Sequence, residues 1–208
     1  MKQNPLYDRY INESHRRERG KTRVENEHLI ERAKKGDLQA YSHLITYYSP
    51  IVERFAYQMG NSIADIPDIT QEVFIRVYRF LDGFSYAKFT TWLYKITLNV
   101  SRDFKRKENQ HNNRVKKIGN EPSENVITPQ ERILRQEEDR MLHECIQKLD
   151  GKYQIPIILY YFHEKKYEEM VEILSINLST VKTRLLRGKN LLKKELEEAE
   201  KREGRLNG

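Results

Sequence analysis

Phe89–Lys107, FTTWLYKITLNVSRDFKRK, is the stretch whose reading decides the fold. Wound as a helix, it stacks Phe89, Leu93, Ile96, Val100 and Phe104 on one stripe. Lys95, Arg102 and Arg106 fall on the opposite face, with Thr91, Asn99 and Lys105 beside them, and Trp92 and Tyr94 sit on the two flanks. Cations neutralise phosphates and aromatic rings stack on unpaired bases, so such a helix suits nucleic acid, single strands above all. A core helix with a solvated charged back is the plainer reading of the segment alone. A second DNA-binding pattern further along the chain favours the first.

The same periodicity extends outward from this segment. Leu38, Tyr41, Leu44, Ile45 and Tyr48 share one side of a helical run, Pro50 breaks or kinks it, and Ile51, Val52, Phe55, Ala56 and Met59 resume the stripe until Gly60. Before it, Asn26 can cap a short helix ending at Lys35, with Gly36 in the left-handed stop position. From Ile66 to Leu81 a further helix buries Ile66, Ile69, Val73, Val77 and Phe80, and Asp82-Gly83 ends it. Its other side carries Asp68, Gln71, Glu72, Ile75, Tyr78 and Arg79. No run alternates with a period of two for long enough to make a sheet. The expectation is an all-α protein of two small helical domains joined by a flexible linker: an N-terminal bundle and a C-terminal helix-turn-helix bundle.

Residues 1–24, with seven basic and three acidic side chains, read as a mobile basic arm; 25–107 form the first domain. Residues 108–128 are polar, basic and interrupted by Gly119 and Pro122, and read as a linker that spans roughly 25 Å as a coil and about 70 Å at full stretch. Thr128-Pro129-Gln130-Glu131 restarts order as a capped helix start, giving a second domain at 129–200 and a tail at 201–208.

Composition narrows the chemistry. The 208 residues are 33% charged and 38% hydrophobic, with 38 basic against 31 acidic side chains. The surplus is concentrated: residues 99–117 hold Arg102, Lys105, Arg106, Lys107, Arg114, Lys116 and Lys117 against Asp103 and Glu108. That points to a polyanion, with an anionic membrane surface as the weaker option. Cys145 is the single cysteine, in a helical pattern where a small core residue fits, which excludes a disulfide framework. There is no apolar leader at the N-terminus and no apolar run near 18 residues, so a cytoplasmic protein is expected.

The second pattern is YEEMVEILSINLSTVKTRLLRGKNLLKKEL, 167–196, which reads as helix, tight turn and helix. Ser175-Ile176-Asn177 make the turn, Val181, Leu185 and Leu192 form the inner stripe of the second helix, and Gly188 allows close approach on that side. Thr183, Leu186, Arg187, Asn190 and Lys194 point outward, with Lys182 and Arg184 flanking. Such a helix enters the major groove, where Lys and Arg read guanine edges while Thr and Leu meet thymine methyls. A helical hairpin with charged ends is the alternative.

Together these segments resemble the sigma-70 family of bacterial transcription initiation factors, in its extracytoplasmic-function (ECF) group. The resemblance covers about residues 26–200 and rests on three motifs in series. DITQEVFIRVYRFLDGF, 68–84, is similar to the segment that docks on the β′ clamp of RNA polymerase. FTTWLYKITLNVSRDFKRK is similar to the segment that melts and reads the −10 element, and STVKTRLLRGKNLLKKEL, 179–196, to the −35 recognition helix. Ile66-Pro67-Asp68 replaces the usual Ala-Glu-Asp, Val171 and Ser175 stand where the family usually has Ala and Gly, and the arm 1–24 has no counterpart.

The resemblance implies a dissociable promoter-specificity subunit that is not an enzyme and has no cofactor, metal or small-molecule substrate. Its partners would be core RNA polymerase (β′ clamp and β subunits), promoter DNA and an inhibitory anti-sigma factor, membrane-bound in one version. Asp68, Gln71, Glu72, Ile75 and Arg79 would meet polymerase. Ser85, Tyr86, Lys88, Thr91, Trp92, Tyr94, Lys95, Asn99, Arg102, Lys105 and Arg106 would meet the −10 element, though the flank position of Trp92 equally suits packing on Phe55 or Tyr57. At the −35 element, Lys182, Thr183, Leu186 and Arg187 would read bases, and Arg184, Lys189 and Lys194 phosphates, with Ser179 and Thr180 at the helix start. Two other classes compete. Asp65, Asp68 and Glu72 have a spacing that could hold Mg²⁺ in a nuclease, but the six histidines lack metal-site spacing. A helix-turn-helix repressor or activator would need a sensor or dimerisation domain instead.

Overall fold

The computed structural model describes residues 22–84, 88–116 and 137–206, and among these the ordered elements are helical. The N-terminal unit consists of α1 (Thr22–Lys34), α2 (Leu38–Gln58), α3 (Ile66–Phe80) and α4 (Phe89–Lys116). The C-terminal unit consists of α5 (Glu137–Gln147), α6 (Gly151–Ile157), a π-helical turn (Ile158–Phe162), α7 (Tyr167–Leu174) and α8 (Leu178–Leu206).

Local chemistry sets the helix ends. Gly36 takes φ 85° at the end of α1, and Asp37 then caps α2 by accepting the Ala40 N–H at 3.0 Å. Gly60 stops α2 with φ 80°. Asp150 caps α6 through the Lys152 N–H at 2.9 Å, and Glu169 reaches back to the Lys166 N–H at 3.0 Å at the start of α7. Pro50 does not break α2, which runs continuously through it. The apolar faces on either side, Leu44 and Tyr48 before it and Val52 and Phe55 after, are all buried and hold the helix together across the missing N–H.

The first core packs α1 on α2 and α3 between α2 and α4. Leu44, Val52, Ile69, Val73, Val77, Leu93 and Val100 form its centre. Tyr41 is buried there and donates its hydroxyl hydrogen to the Phe74 carbonyl. Phe80, expected on the buried stripe, is 55% exposed, while Phe74 is buried in its stead. The stripe therefore turns away from Phe80 at the last turn of α3.

Several expected boundaries move. α1 begins at Thr22, so Asn26 lies inside it rather than at its cap. α4 continues to Lys116, well past the expected linker start at residue 108, and α8 continues to Leu206, past residue 200. In the α8 extension Arg202 pairs with Glu198 one turn back, at 4.0 Å. The arm 1–21, the expected restart at Thr128-Pro129 and most of the expected linker lie outside the described residues.

The largest difference lies between the units. They are packed together, α4 against α7. Phe55, Met59, Tyr94 and Leu98 of the first unit share one buried cluster with Cys145, Ile157, Leu159, Met170, Ile173, Val181 and Leu192 of the second.

Candidate nucleic-acid interface

α8 follows a tight turn. Ser175 takes the left-handed conformation, φ 53° and ψ 45°, that ends α7, and Asn177 then accepts the Thr180 N–H at 2.8 Å to start α8. Val181, Leu185 and Leu192 are buried beneath. Gly188 lies against α6, where a Cβ would stand 3.1 Å from Ile157 Cγ1 and 3.2 Å from the Tyr153 carbonyl oxygen. That close seating orients the rest of the helix outward. Lys182, Thr183, Arg187, Lys189 and Lys194 are exposed, and Leu186 is 63% exposed with nothing to bury it.

A cleft between α6 and the start of α8 is lined by Lys152, Tyr153, Ser179, Thr180, Thr183, Arg184 and Arg187. It offers three cations and four hydroxyls on one surface, a composition suited to phosphate oxygens. The Ser179 hydroxyl donates to Asn177 Oδ1 and the Thr183 hydroxyl to the Ser179 carbonyl, both at 2.8 Å, so each keeps acceptor capacity outward. Lys182 Nζ hovers 5.9 Å from the Tyr167 ring centre, and Lys194 pairs with Glu198 at 3.9 Å. Lys152 and Tyr153 were not picked out in the sequence. Their only signal is the Asp150-Gly151 helix start ahead of them, which says nothing about a facing helix.

On α4 the predicted residues separate into two groups. Asn99, Arg102 and Arg106 are exposed and Lys95 is half-buried. Thr91, expected beside the basic face, and Trp92 and Tyr94, expected on its flanks, are instead buried, at 1%, 8% and 5% exposure. Trp92 packs on Phe84 and Phe89, ring centres 5.1 and 5.8 Å away, and not on Phe55 or Tyr57. Tyr94 stacks edge-on with Phe55 at 5.0 Å, and burial pushes its phenol up. Lys105 is likewise corrected: its ammonium donates to the Met59 carbonyl at the end of α2, and desolvation lowers its pKa. Lys88 is exposed but ion-paired with Glu169 at 3.1 Å. Ser85 and Tyr86 lie outside the described residues.

The outer face of α3 presents Asp68, Gln71, Ile75, Tyr78 and Arg79 to solvent, with Ile75 44% and Tyr78 53% exposed. Glu72 is drawn aside, its carboxylate 2.7 Å from Arg76, which also bridges to Asp103 of α4 at 3.4 Å. Hydrogen bonding to Glu72 first, and Asp103 after it, raises the Arg76 pKa. The rival Mg²⁺ set is thus divided, with Glu72 committed to a guanidinium. Among the described residues no three His, Cys, Asp or Glu side chains gather as a metal site, and no helix is long and apolar enough to cross a membrane.

Comparison with known proteins finds matches in both units. Residues 44–111 match the family Sigma-70 region 2, and residues 139–192 match Sigma-70, region 4. The ECF RNA polymerase sigma factor SigW of Bacillus subtilis is 34% identical over 176 residues, covering 80% of this chain and 94% of that protein. The ECF RNA polymerase sigma-E factor of Haemophilus influenzae is 28% identical over 184 residues, covering 81% and 94%. In three dimensions the fold is similar to CnrH, solved in complex with the cytosolic domain of CnrY, with a TM-score of 0.63 at 22% identity over 82% of this chain and 96% of that one. It is also similar to the sigma factor RpoE of Bartonella quintana, solved with the anti-sigma factor NepR, with a TM-score of 0.62 at 18% identity over 76% and 96%. With two family regions in order and a relative matched over nearly its full length, the chain belongs to the sigma-70 family, among the ECF RNA polymerase sigma factors.

Proposed function

We propose that promoter recognition by this sigma factor is divided among three helix faces. As a member of the family, the protein binds core RNA polymerase and directs it to promoters. The exposed half of α8, with Lys182, Thr183, Leu186 and Arg187, reads the −35 element. The Lys152, Tyr153, Arg184 cleft and Lys189 hold the flanking phosphates. The Lys95, Asn99, Arg102 and Arg106 side of α4 takes the −10 element. The Gln71, Ile75 and Arg79 face of α3 docks on the polymerase clamp. Domain roles follow the same division: residues 25–107 as region 2 and 129–200 as region 4. Catalysis then belongs to core polymerase rather than to this chain, and the work is cytoplasmic. An anti-sigma factor is the expected inhibitor.

The observation that carries this reading is Leu186, an apolar side chain 63% exposed in the middle of a cationic groove-sized helix. Solvent does not favour it there, while a thymine methyl does. The test is transcription by purified core polymerase on a genomic library with and without the protein, mapping start sites. New starts sharing two spaced elements support the reading. Failure of the protein to associate with core polymerase in the absence of any inhibitor overturns it.

A further inference from the structure

One acid interrupts the cationic side of α4. Between Phe89 and Lys107 the helix carries Lys95, Arg102, Lys105, Arg106 and Lys107, and Asp103 is the single carboxylate. It lies in sequence between Arg102 and Arg106, with 36% of its side chain open to solvent. A carboxylate there acts against a polyanion in two ways. Its charge repels phosphate, and its Oδ1 stands 3.4 Å from a guanidinium nitrogen of Arg106, so it competes with phosphate for that cation.

A counter-charge reaches Asp103 from another helix. Arg76 of α3 directs Nη1 and Nη2 at Asp103 Oδ2, each 3.4 Å away, while its Nε donates to Glu72 Oε1 at 2.7 Å. Asp103 is thus shared: Arg76 takes one oxygen and Arg106 the other. The two guanidiniums differ in freedom. Arg76 is 32% exposed and anchored by Glu72 one turn back, whereas Arg106 is 71% exposed and no other ion pair among the described residues holds it. Arg76 is therefore the fixed partner, and Arg106 is the one available to an incoming phosphate.

We infer that Arg76 is a positioning residue for −10 recognition: from α3 it neutralises Asp103, which removes a repulsive charge from the cationic side of α4 and leaves Arg106 to meet the DNA backbone. Arg76 itself touches no DNA. The inference rests on the reading that this side of α4 takes the −10 element. Without Arg76, Asp103 turns wholly to Arg106, an i,i+3 pair of the kind helices form, and one phosphate contact is lost. With Asp103 neutralised as well, Arg106 has no competitor and the contact returns. The double variant therefore marks the mechanism, because removing the acid repairs neither a direct DNA contact by Arg76 nor a packing role.

The test uses holoenzyme assembled from core polymerase and the full chain, titrated at several salt concentrations on a promoter taken from the start sites it directs. Arg76→Ala should weaken promoter binding about threefold, the size of one rearranged half-exposed ion pair, and lower the salt slope by about one. A duplex carrying the −35 element alone, titrated with the full chain, should bind as before, and circular dichroism should not change. Arg76→Ala combined with Asp103→Asn should return affinity and salt slope to wild-type values. Arg76→Lys, which keeps the charge and loses the fork, should fall between wild type and Arg76→Ala. Wild-type affinity and slope in Arg76→Ala overturns the inference, and so does a loss that Asp103→Asn fails to repair. An equal loss on the −35 duplex assigns the defect to the fold and overturns it too. A wild-type holoenzyme that directs no start sites sinks instead the −10 reading beneath it.

Discussion

Trp92 shows how much a single flank residue can mislead. On the helical wheel it borders the basic face, but Phe84 and Phe89 enclose it and leave 8% of its surface open. Its emission should therefore be blue-shifted, and saturating single-stranded DNA should leave its intensity within about a tenth of the free value, an outcome of burial that removes base stacking. Strong quenching at stoichiometric DNA would return Trp92 to the base-reading set. Ser175 gives a second residue-level test. It holds the left-handed backbone that ends α7, a conformation that glycine adopts at no steric cost. A non-glycine residue there costs about 1 kcal/mol, so Ser175→Gly should raise the urea midpoint by the equivalent of about 1 kcal/mol. A lower midpoint would mean that the Ser175 side chain contributes more than its backbone costs.

At the scale of single elements, most of what the structure contains was legible. The inner stripes of α4 and α8, the stop at Gly36 and the turn at Ser175-Ile176-Asn177 follow from periodicity and caps that act within a few residues. The exposed patch on α3 was legible too, since Gln71 and Ile75 fall one turn apart on its polar side. Replacing both with alanine should abolish capture by core polymerase, tested in a pull-down, while circular dichroism stays unchanged because neither residue is buried. Capture at the wild-type level would remove that face from the docking surface. The cap of α2 adds a pH dependence with a definite sign. The Ala40 N–H first, and Arg32 after it, hold the Asp37 carboxyl below its usual range. A depressed folded pKa means stabilisation that is complete above the unfolded value near 3.9 and is lost as pH falls through the lower folded value. The stability gap between wild type and Asp37→Ala should thus be constant above about pH 5 and shrink progressively toward pH 2. A gap that widens in acid would show that the carboxylate is not the stabilising form.

What the sequence could not disclose belongs to the molecule as a whole. Tyr94, Gln58 and His163 each look like ordinary polar or flank residues locally, and their contacts appear only when the second unit packs on the first. Residues separated by 69 and 105 positions carry no shared periodicity, so no local pattern marks them as partners. The same separation makes the connecting segment a functional part rather than a spacer. With both units on one promoter, the second binding event proceeds at an effective concentration that falls roughly as the −3/2 power of connector length. Inserting a flexible Gly/Ser stretch as long as residues 117–136 doubles that length and should weaken binding to a duplex with both elements about threefold, read by titration at fixed salt. Binding to a duplex carrying the −35 element alone should not weaken, because α8 and its cleft are complete within the C-terminal unit. Equal losses on both duplexes would mean that the insertion damages the fold. No loss on either would mean that the two units never engage one promoter at the same time.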